Sequence, residues 1–481
     1  MDSNRLLIAV LAASLAGSAD AALTVGPPML ETYGYEGEPS YGPCGNAVLS
    51  DDAHWLTFSC FSRDIVPGDD NDRYDTFLLD RQTRQTQRVS VDSLGQEHRF
   101  DSNRGVASAD GRRVVFNSNA KLDPSIPWDY YKLGISNVFL RDLERGTTSL
   151  IGLNSRRESE RLGTRLVTAH HRREEVLLLS GANLLGEDTN GPLMEDLYVR
   201  NWRTAAIELV STSTEGHQGN CYTQGDSIIS DSGRYIVFMS CASNLSDDNP
   251  LRTGNLFLRD RWLGTTRRLT RPWTGGEFIA SPSYYLDSTA GRIIGDRYVP
   301  FGATSGELVP GVGTIQANTY LLDIQTGQIE LISRGWDGST HSAEGWRPSM
   351  SADGRYLAFY SRSPDIMVDP GPGPAVYLKD RFTGETVNVT ATLARPLYFY
   401  FAQVNLSADG STLAFTWRYD DDAPQPYAGR QLIYTVSIHG TPIAPPEPEP
   451  VPATAPMARF AAFVALLLGA WIALRRRRNT T

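Results

Sequence analysis

Acidic clusters are the residues of this chain most suited to chemistry. Asp69-Asp70-Asn71-Asp72 is followed by Asp75, and Glu187-Asp188-Thr189-Asn190 by Asp196. Asp247-Asp248-Asn249, Asp365 with Asp369, and Asp420-Asp421-Asp422 are further groups. Three readings stand side by side. Asp69, Asn71 and Asp75, and likewise Asp188, Asn190 and Asp196, could hold calcium, a hard cation that collects several oxygen ligands. They lack the full twelve-residue loop with a terminal Glu. With the aromatics Tyr33, Tyr35, Trp273, Trp336 and Trp346 they could instead bind a sugar or peptide directly. Or Asp and Asn simply make turns, since their side chains bond nearby backbone.

Other chemistry is thinly represented. There is no Gly-x-Ser-x-Gly elbow, no His-Glu-x-x-His and no phosphate-binding glycine loop. The seven His are scattered, and adjacent His170 and His171 read as a solvated turn. The 481 residues carry a formal charge of -10, which argues against a nucleic-acid partner.

Two segments read as addresses. Residues 1–21 combine Arg5, an apolar run and Ala19-Asp20-Ala21, the order of a signal peptide. Residues 441–456 are a Pro-rich linker. Residues 457–478 hold an uncharged run, Phe460–Leu474, and then four Arg, which predict one transmembrane helix with a cytoplasmic C-terminus. The expected product is an exported bacterial envelope protein with a periplasmic or extracellular domain over 22–440.

That domain must position the acidic clusters, and it is repetitive. Ser-Ala-Asp-Gly recurs at 108–111, 351–354 and 407–410, with degenerate copies near Ser50, Thr168, Ser230 and Asp287. A second anchor ends an apolar strand at Asp80, Asp142, Asn201, Asp260, Asp323 and Asp380, at spacings of 62, 59, 59, 63 and 57. Each repeat reads as four strands, A to D, with tight turns at Asp-Gly and Thr-Gly. Four-stranded units at this period predict an all-β, seven-bladed propeller. The last repeat lacks a strand D, and Met29–Gly37 aligns with one, so the N-terminal strand should complete the last blade and close the ring. Cys44 and Cys60, and Cys221 and Cys241, lie beside strands A and B of blades 1 and 4, which makes them the expected disulfides.

The texts SADGRYLAFYS and VYLKDRFTGETVNVT resemble TolB-like, WD-like propeller repeats over roughly Met29–Gly440. Blades 3 and 5 depart from the pattern, with His170-His171-Arg172 in place of Asp-Gly and an irregular strand B at Ile293–Val299. The tail is similar to PEP-CTERM sorting tails, which implies a sorting protease as a partner. The B–C and D–A loops share one face, which carries the acidic and aromatic residues. The expectation is a tethered, non-enzymatic binding or scaffold module for a protein or envelope polymer. The alternative is a propeller enzyme, glycosidase- or lactonase-like, with a metal and carboxylate site at the central channel.

Overall fold

The computed structural model describes residues 22–440 apart from 126–135, 155–162, 171, 182–183, 187–188, 192–193, 248–253, 277, 279–281, 287–291, 313–316, 341–345, 370–372 and 395–401. Seven antiparallel sheets follow one another along the chain, and each blade runs A-B-C-D in order. Blade 1 comprises Cys44–Leu49, Trp55–Phe61, Tyr74–Asp80 and Gln85–Arg88. Blade 2 comprises Ser102–Ala107, Arg113–Ser118, Asn137–Asp142 and Thr147–Leu150. Blade 3 comprises Arg165–Ala169, Glu175–Ser180, Asp196–Asn201 and Ile207–Leu209. Blade 4 comprises Thr223–Ser230, Tyr235–Ser240, Asn255–Asp260 and Thr265–Arg268. Blade 5 comprises Tyr284–Tyr285, Tyr298–Ala303, Asn318–Asp323 and Ile329–Leu331, and blade 6 Trp346–Met350, Tyr356–Ser361, Ala375–Asp380 and Thr386–Asn388.

Blade 7 supplies Val404–Leu406, Thr412–Arg418 and Gln431–His439 from the C-terminal side. Its outer strand comes from the N-terminal side: Met29 and Leu30 pair with Thr435 and Tyr434, and Thr24 and Val25 with His439 and Ile438. Glu31, 3 % exposed, locks this seam. It accepts Thr435 Oγ1 at 2.7 Å and pairs with Arg81 and Arg84 of blade 1. The predicted closure is therefore present.

The repeated motifs have local physical roles. Ser108, Ser351 and Ser407 donate their hydroxyls to Asp110, Asp353 and Asp409 at 2.6, 2.5 and 2.6 Å. The same hydroxyls accept the backbone N–H five residues on, which fixes each A–B hairpin. The Asp that ends strand C caps the C–D turn: Asp380 Oδ1 accepts the N–H groups of Phe382 and Thr383. Its other oxygen takes Arg355 at 2.7 Å, and Asp260 and Asp323 hold Arg234 and Arg297 in the same way. Blades pack through buried aromatic pairs that face each other across strands B and C. These are Phe58–Phe77, Phe116–Phe139, Phe238–Phe257, Phe301–Tyr320, Phe359–Tyr377 and Phe415–Tyr434, with centroids 5.4 to 6.0 Å apart. Blade 3 places Leu178 opposite Tyr198 instead.

The departures in blades 3 and 5 share one purpose. Strand B of blade 5 begins at Tyr298, later than expected, and Arg292–Ile293 runs parallel to strand A of blade 4. From there Arg292 reaches Asp51 of blade 1 at 2.7 Å and Asp231 of blade 4 at 3.6 Å. Arg172 of blade 3 meets the other oxygen of Asp51 at 2.7 Å. Blades 1, 3 and 5 are not neighbours, so these turns meet only by spanning the ring axis. His170 is a buried part of this assembly, not a solvated turn residue: Nε2 lies 3.0 Å from the Asp231 carbonyl, and Nδ1 accepts the N–H groups of Arg172 and Arg173. His171 lies outside the described residues.

The expected membrane helix is corrected. There is no helix among the described residues, and so none long and apolar enough to cross a membrane. The predicted signal peptide, linker and anchor, at 1–21, 441–456 and 457–478, fall outside the described residues. No helix among the described residues supports the single-pass topology, the membrane as a partner or the transmembrane location.

Both disulfides pair as expected, Cys44 with Cys60 and Cys221 with Cys241. Cys44 and Cys60 are direct cross-strand partners, the geometry that lets an antiparallel hairpin be stapled without moving its backbone.

Candidate functional site

A polar, buried position recurs near the start of strand C, at Asp75, Asn137, Asp196, Asn255 and Asn318. In blade 1 this residue is Asp75, 1 % exposed. Ser90, just past strand D, donates to its Oδ1 at 2.5 Å, and Asn71 donates Nδ2 to its Oδ2 at 2.7 Å. Asn71 also donates to the His98 carbonyl at 3.0 Å, which stitches the B–C loop to the D–A loop. That stitch carries Glu97 over blade 1 and turns Asp69 inward.

Asp69, Asp75 and Glu97 each offer an oxygen within 4.8 Å of the others. Asp69 is 3 % exposed and its Oδ2 has no hydrogen-bond partner among the described residues. Arg88, the last residue of strand D, lies among the three carboxylates. Its Nη1 is 3.2 Å from Asp69, 2.5 Å from Glu97 and 4.0 Å from Asp75, while Nη2 donates to the Gly68 carbonyl. Three carboxylates against one guanidinium leave two formal negative charges in a buried place.

The electrostatics record that surplus. Burial, with repulsion from Asp75 behind it, pushes the Asp69 carboxyl up to about 7, against the pull of Arg88. Asp75 is raised as well, by burial first, with the Ser90 and Asn71 hydrogen bonds opposing. A carboxyl poised near neutrality beside other acids is an arrangement for acid–base work or for a cation. The donors fit a hard divalent cation: all are carboxylate oxygens, one of them buried and unpartnered, and the charge to be balanced is two. This set could coordinate a divalent cation, without the structure singling out calcium.

The cluster corrects the reading of this face as a plain binding surface, because it is a buried carboxylate centre. It is built from strand C, the end of strand D and the B–C and D–A loops of blade 1, and not from the innermost strand at the channel. At the channel mouth a smaller cavity of about 240 Å³ is lined by Asn103, Arg104, Asn117 and Arg165, and Arg165 is held by both oxygens of Glu195.

The other residues singled out from the sequence fall in several places. Asn71 turns its amide nitrogen, not its oxygen, toward Asp75. Asn190 and Asp196 reproduce the Asn71–Asp75 pair in blade 3 at 3.0 Å, and Asp188 lies outside the described residues. Tyr33, Tyr35, Trp273 and Trp336 are exposed, between 43 % and 61 %. The backbone N–H groups of Tyr35, Trp273 and Trp336 bond the Asp64, Glu307 and Asp365 carbonyls, one at each of three blade junctions, so these aromatics do not form one patch. Trp346 starts strand A of blade 6. Glu97 and Arg88 escaped the sequence reading. The signal for Glu97 is the likeness of Gly95-Gln96-Glu97 to Gly216-His217-Gln218. Tyr41, Phe61 and Tyr74, exposed at 68, 39 and 37 %, also went unremarked although they border the acidic loop.

No protein-family model matches the chain, and no curated protein matches it. Solved structures do. A structure of prolyl endopeptidases matches at 12% identity with a TM-score of 0.51, over 84% of this chain and 51% of that one. An oligogalacturonate lyase from Vibrio parahaemolyticus gives 12% identity and a TM-score of 0.48, over 87% and 98%. TolB from Acinetobacter baumannii gives 14% identity and a TM-score of 0.37, over 76% of each chain. At these identities the likeness is one of fold, that of a β-propeller.

Proposed function

We propose that the chain is a propeller enzyme of the metal–carboxylate type, with its centre at Asp69, Asp75 and Glu97. The observation that carries this reading is the convergence of three acids, one of them a carboxyl held near neutrality. Calcium is the cation we assign, on the all-oxygen donor set and the acidic loop that supplies it. When bound it would polarise an oxygen of the substrate. Asp69 would hold a proton near neutral pH in the cation-free site and give it up when its carboxylate takes the cation, Asp75 would stay fixed by Ser90 and Asn71, and Arg88 would balance the remaining charge. Tyr41, Phe61 and Tyr74, half-exposed around the same loop, suit a ring-shaped substrate such as a sugar or lactone. The two disulfides fit an oxidising compartment and so support export. The sorting-tail reading of 441–478 rests on sequence alone.

The test pairs binding with turnover. Calorimetry of the chelator-treated protein with calcium, magnesium and manganese should show one site, lost in Asp75→Asn and Glu97→Gln. At a hundredfold excess over Kd the cation should add about 2.7 kcal/mol of stability. A panel of nitrophenyl glycosides and lactones should reveal turnover that falls with the same substitutions. No cation binding and an unchanged melting temperature would overturn the proposal.

A further inference from the structure

Blade 3 repeats the frame of the blade 1 centre with Glu97 and Arg88 replaced by uncharged residues. Asp196 stands where Asp75 stands, at the start of strand C. Ser211 donates to its Oδ1 at 2.7 Å, as Ser90 does to Asp75. Asn190 donates to its Oδ2 and to the Gly219 carbonyl at 3.0 and 2.9 Å, as Asn71 does to Asp75 and His98. Two positions differ among the described residues. Gln218 replaces Glu97 and donates Nε2 to Asp196 at 2.6 Å. Leu209 replaces Arg88: Leu209 is paired with Tyr198 in blade 3, and Arg88 with Phe77 in blade 1.

The second difference has a volume. In blade 1 the long side chain of Arg88 fills the space between the B–C and D–A loops. Leu209 is too short to do so, and a cavity of about 810 Å³ opens above it. Its size falls within the roughly 300–1,000 Å³ typical of ligand pockets. Tyr198 and Leu209 line its apolar part, and Asn190, Gln218, Asn220 and Asn244 much of its polar part. Among the described residues no Asp, Glu, Lys or Arg lines it. The walls are held in place beforehand: Asn220 N–H bonds Asn244 Oδ1 at 2.9 Å, Asn244 Nδ2 bonds the Gln218 carbonyl at 2.8 Å, and the Cys221–Cys241 bridge ties the hairpin beside them. A preorganised wall loses little freedom on binding.

We propose that this cavity is a second binding site, for a neutral polyhydroxylated ligand, a short uncharged oligosaccharide. Side-chain amides present donors and acceptors together, the pairing that adjacent hydroxyls require. The apolar floor suits the C–H face of a sugar ring. With no Asp, Glu, Lys or Arg among the described lining residues, a charged ligand finds no counter-ion on them and would shed its water without repayment. The site does not depend on the blade 1 reading.

The experiment uses the whole chain with its disulfides intact, titrated with maltohexaose, cellohexaose and chitohexaose, and with hexagalacturonate as the charged control. A neutral hexasaccharide should bind, and Leu209→Arg, which restores the blade 1 filler, should weaken it by roughly tenfold or more. Asp75→Asn should leave that binding unchanged, which separates this site from the acidic one. Should Leu209→Arg fail to fold, His217→Ala, at an exposed lining residue, should weaken binding instead. Binding of none of the neutral probes, binding unaffected by the lining substitution, or equal binding of hexagalacturonate would each overturn the proposal.

Discussion

Asp51 of blade 1 and Arg172 of blade 3 are joined across the propeller axis, Nε to Oδ2, at 2.7 Å. The other oxygen of Asp51 holds Arg292 at 2.7 Å, so one carboxylate, 9 % exposed, balances two guanidinium groups. Asp51→Asn would leave two cations facing one another and should cost roughly 3 kcal/mol. Arg172→Ala removes a partner whose side chain is 70% exposed and should cost less than about 1 kcal/mol. Urea denaturation of both variants checks the contrast, and a loss below 1 kcal/mol in Asp51→Asn would show that the tie across the axis is not a structural support.

His170 makes that tie sensitive to acid. Its Nδ1 already accepts two backbone N–H groups, so a proton there would face donors. Burial lowers its affinity for a proton, against the pull of the Asp231 carbonyl and carboxylate. The depressed value means that the contribution to stability is complete above about pH 6.5 and is lost as pH falls through the folded value. Melting temperatures between pH 8 and 5 should decline more steeply in the native chain than in His170→Gln. Parallel curves would remove His170 as the cause.

Asp69 has the opposite sign. Its carboxyl titrates near 7 when folded and near about 3.9 when unfolded, so its contribution is complete below the unfolded value and is lost as pH rises through 7. In chelator, Asp69→Asn should therefore melt higher than the native chain at pH 8 and much alike at pH 5. Added calcium should reverse the order at pH 8, since the ion needs the ionised carboxylate.

Arg88 serves as the internal counter-ion of the centre. Arg88→Gln should lower the melting temperature of the cation-free protein and raise its affinity for calcium by roughly tenfold. Titration calorimetry reads the second effect, and weaker binding would mean that Arg88 helps to hold the cation site together.

The Cys44–Cys60 bridge closes a loop with a sequence separation of 16. Replacing both with Ser should cost roughly 3 kcal/mol in the chain-entropy account. Peptide mapping without reduction should recover this pair and Cys221–Cys241, and a bridge between blades would contradict the register of both hairpins.

The fold was legible because each blade repeats short-range devices. The Asp-Gly turns, the Ser that reaches its Asp and the Asp that ends strand C all act within a few residues, and such signals survive in a linear text. The disulfides were legible for the same reason, since Cys44 and Cys60 occupy the two ends of one hairpin. The centre was half legible. Asp69 and Asp75 sit in one acidic loop, but Glu97 arrives from the next connection and Arg88 from the strand between, and only the folded blade brings them together. Asp51 and Arg172 lie 121 residues apart and meet only because the ring closes. Asn71 shows a further limit: composition cannot tell which end of an amide faces the site.

Thr24 and His439 are cross-strand partners at the seam that closes the ring. A few residues of peptide would therefore be enough to splice these two points, and the chain could be opened instead at another loop. The order in which the blades are written along the gene is thus separable from the order in which they stand around the ring. A permuted chain beginning in the loop between strands B and C of blade 5 should assemble the same seven sheets, with the seam of blade 7 turned into an ordinary connection.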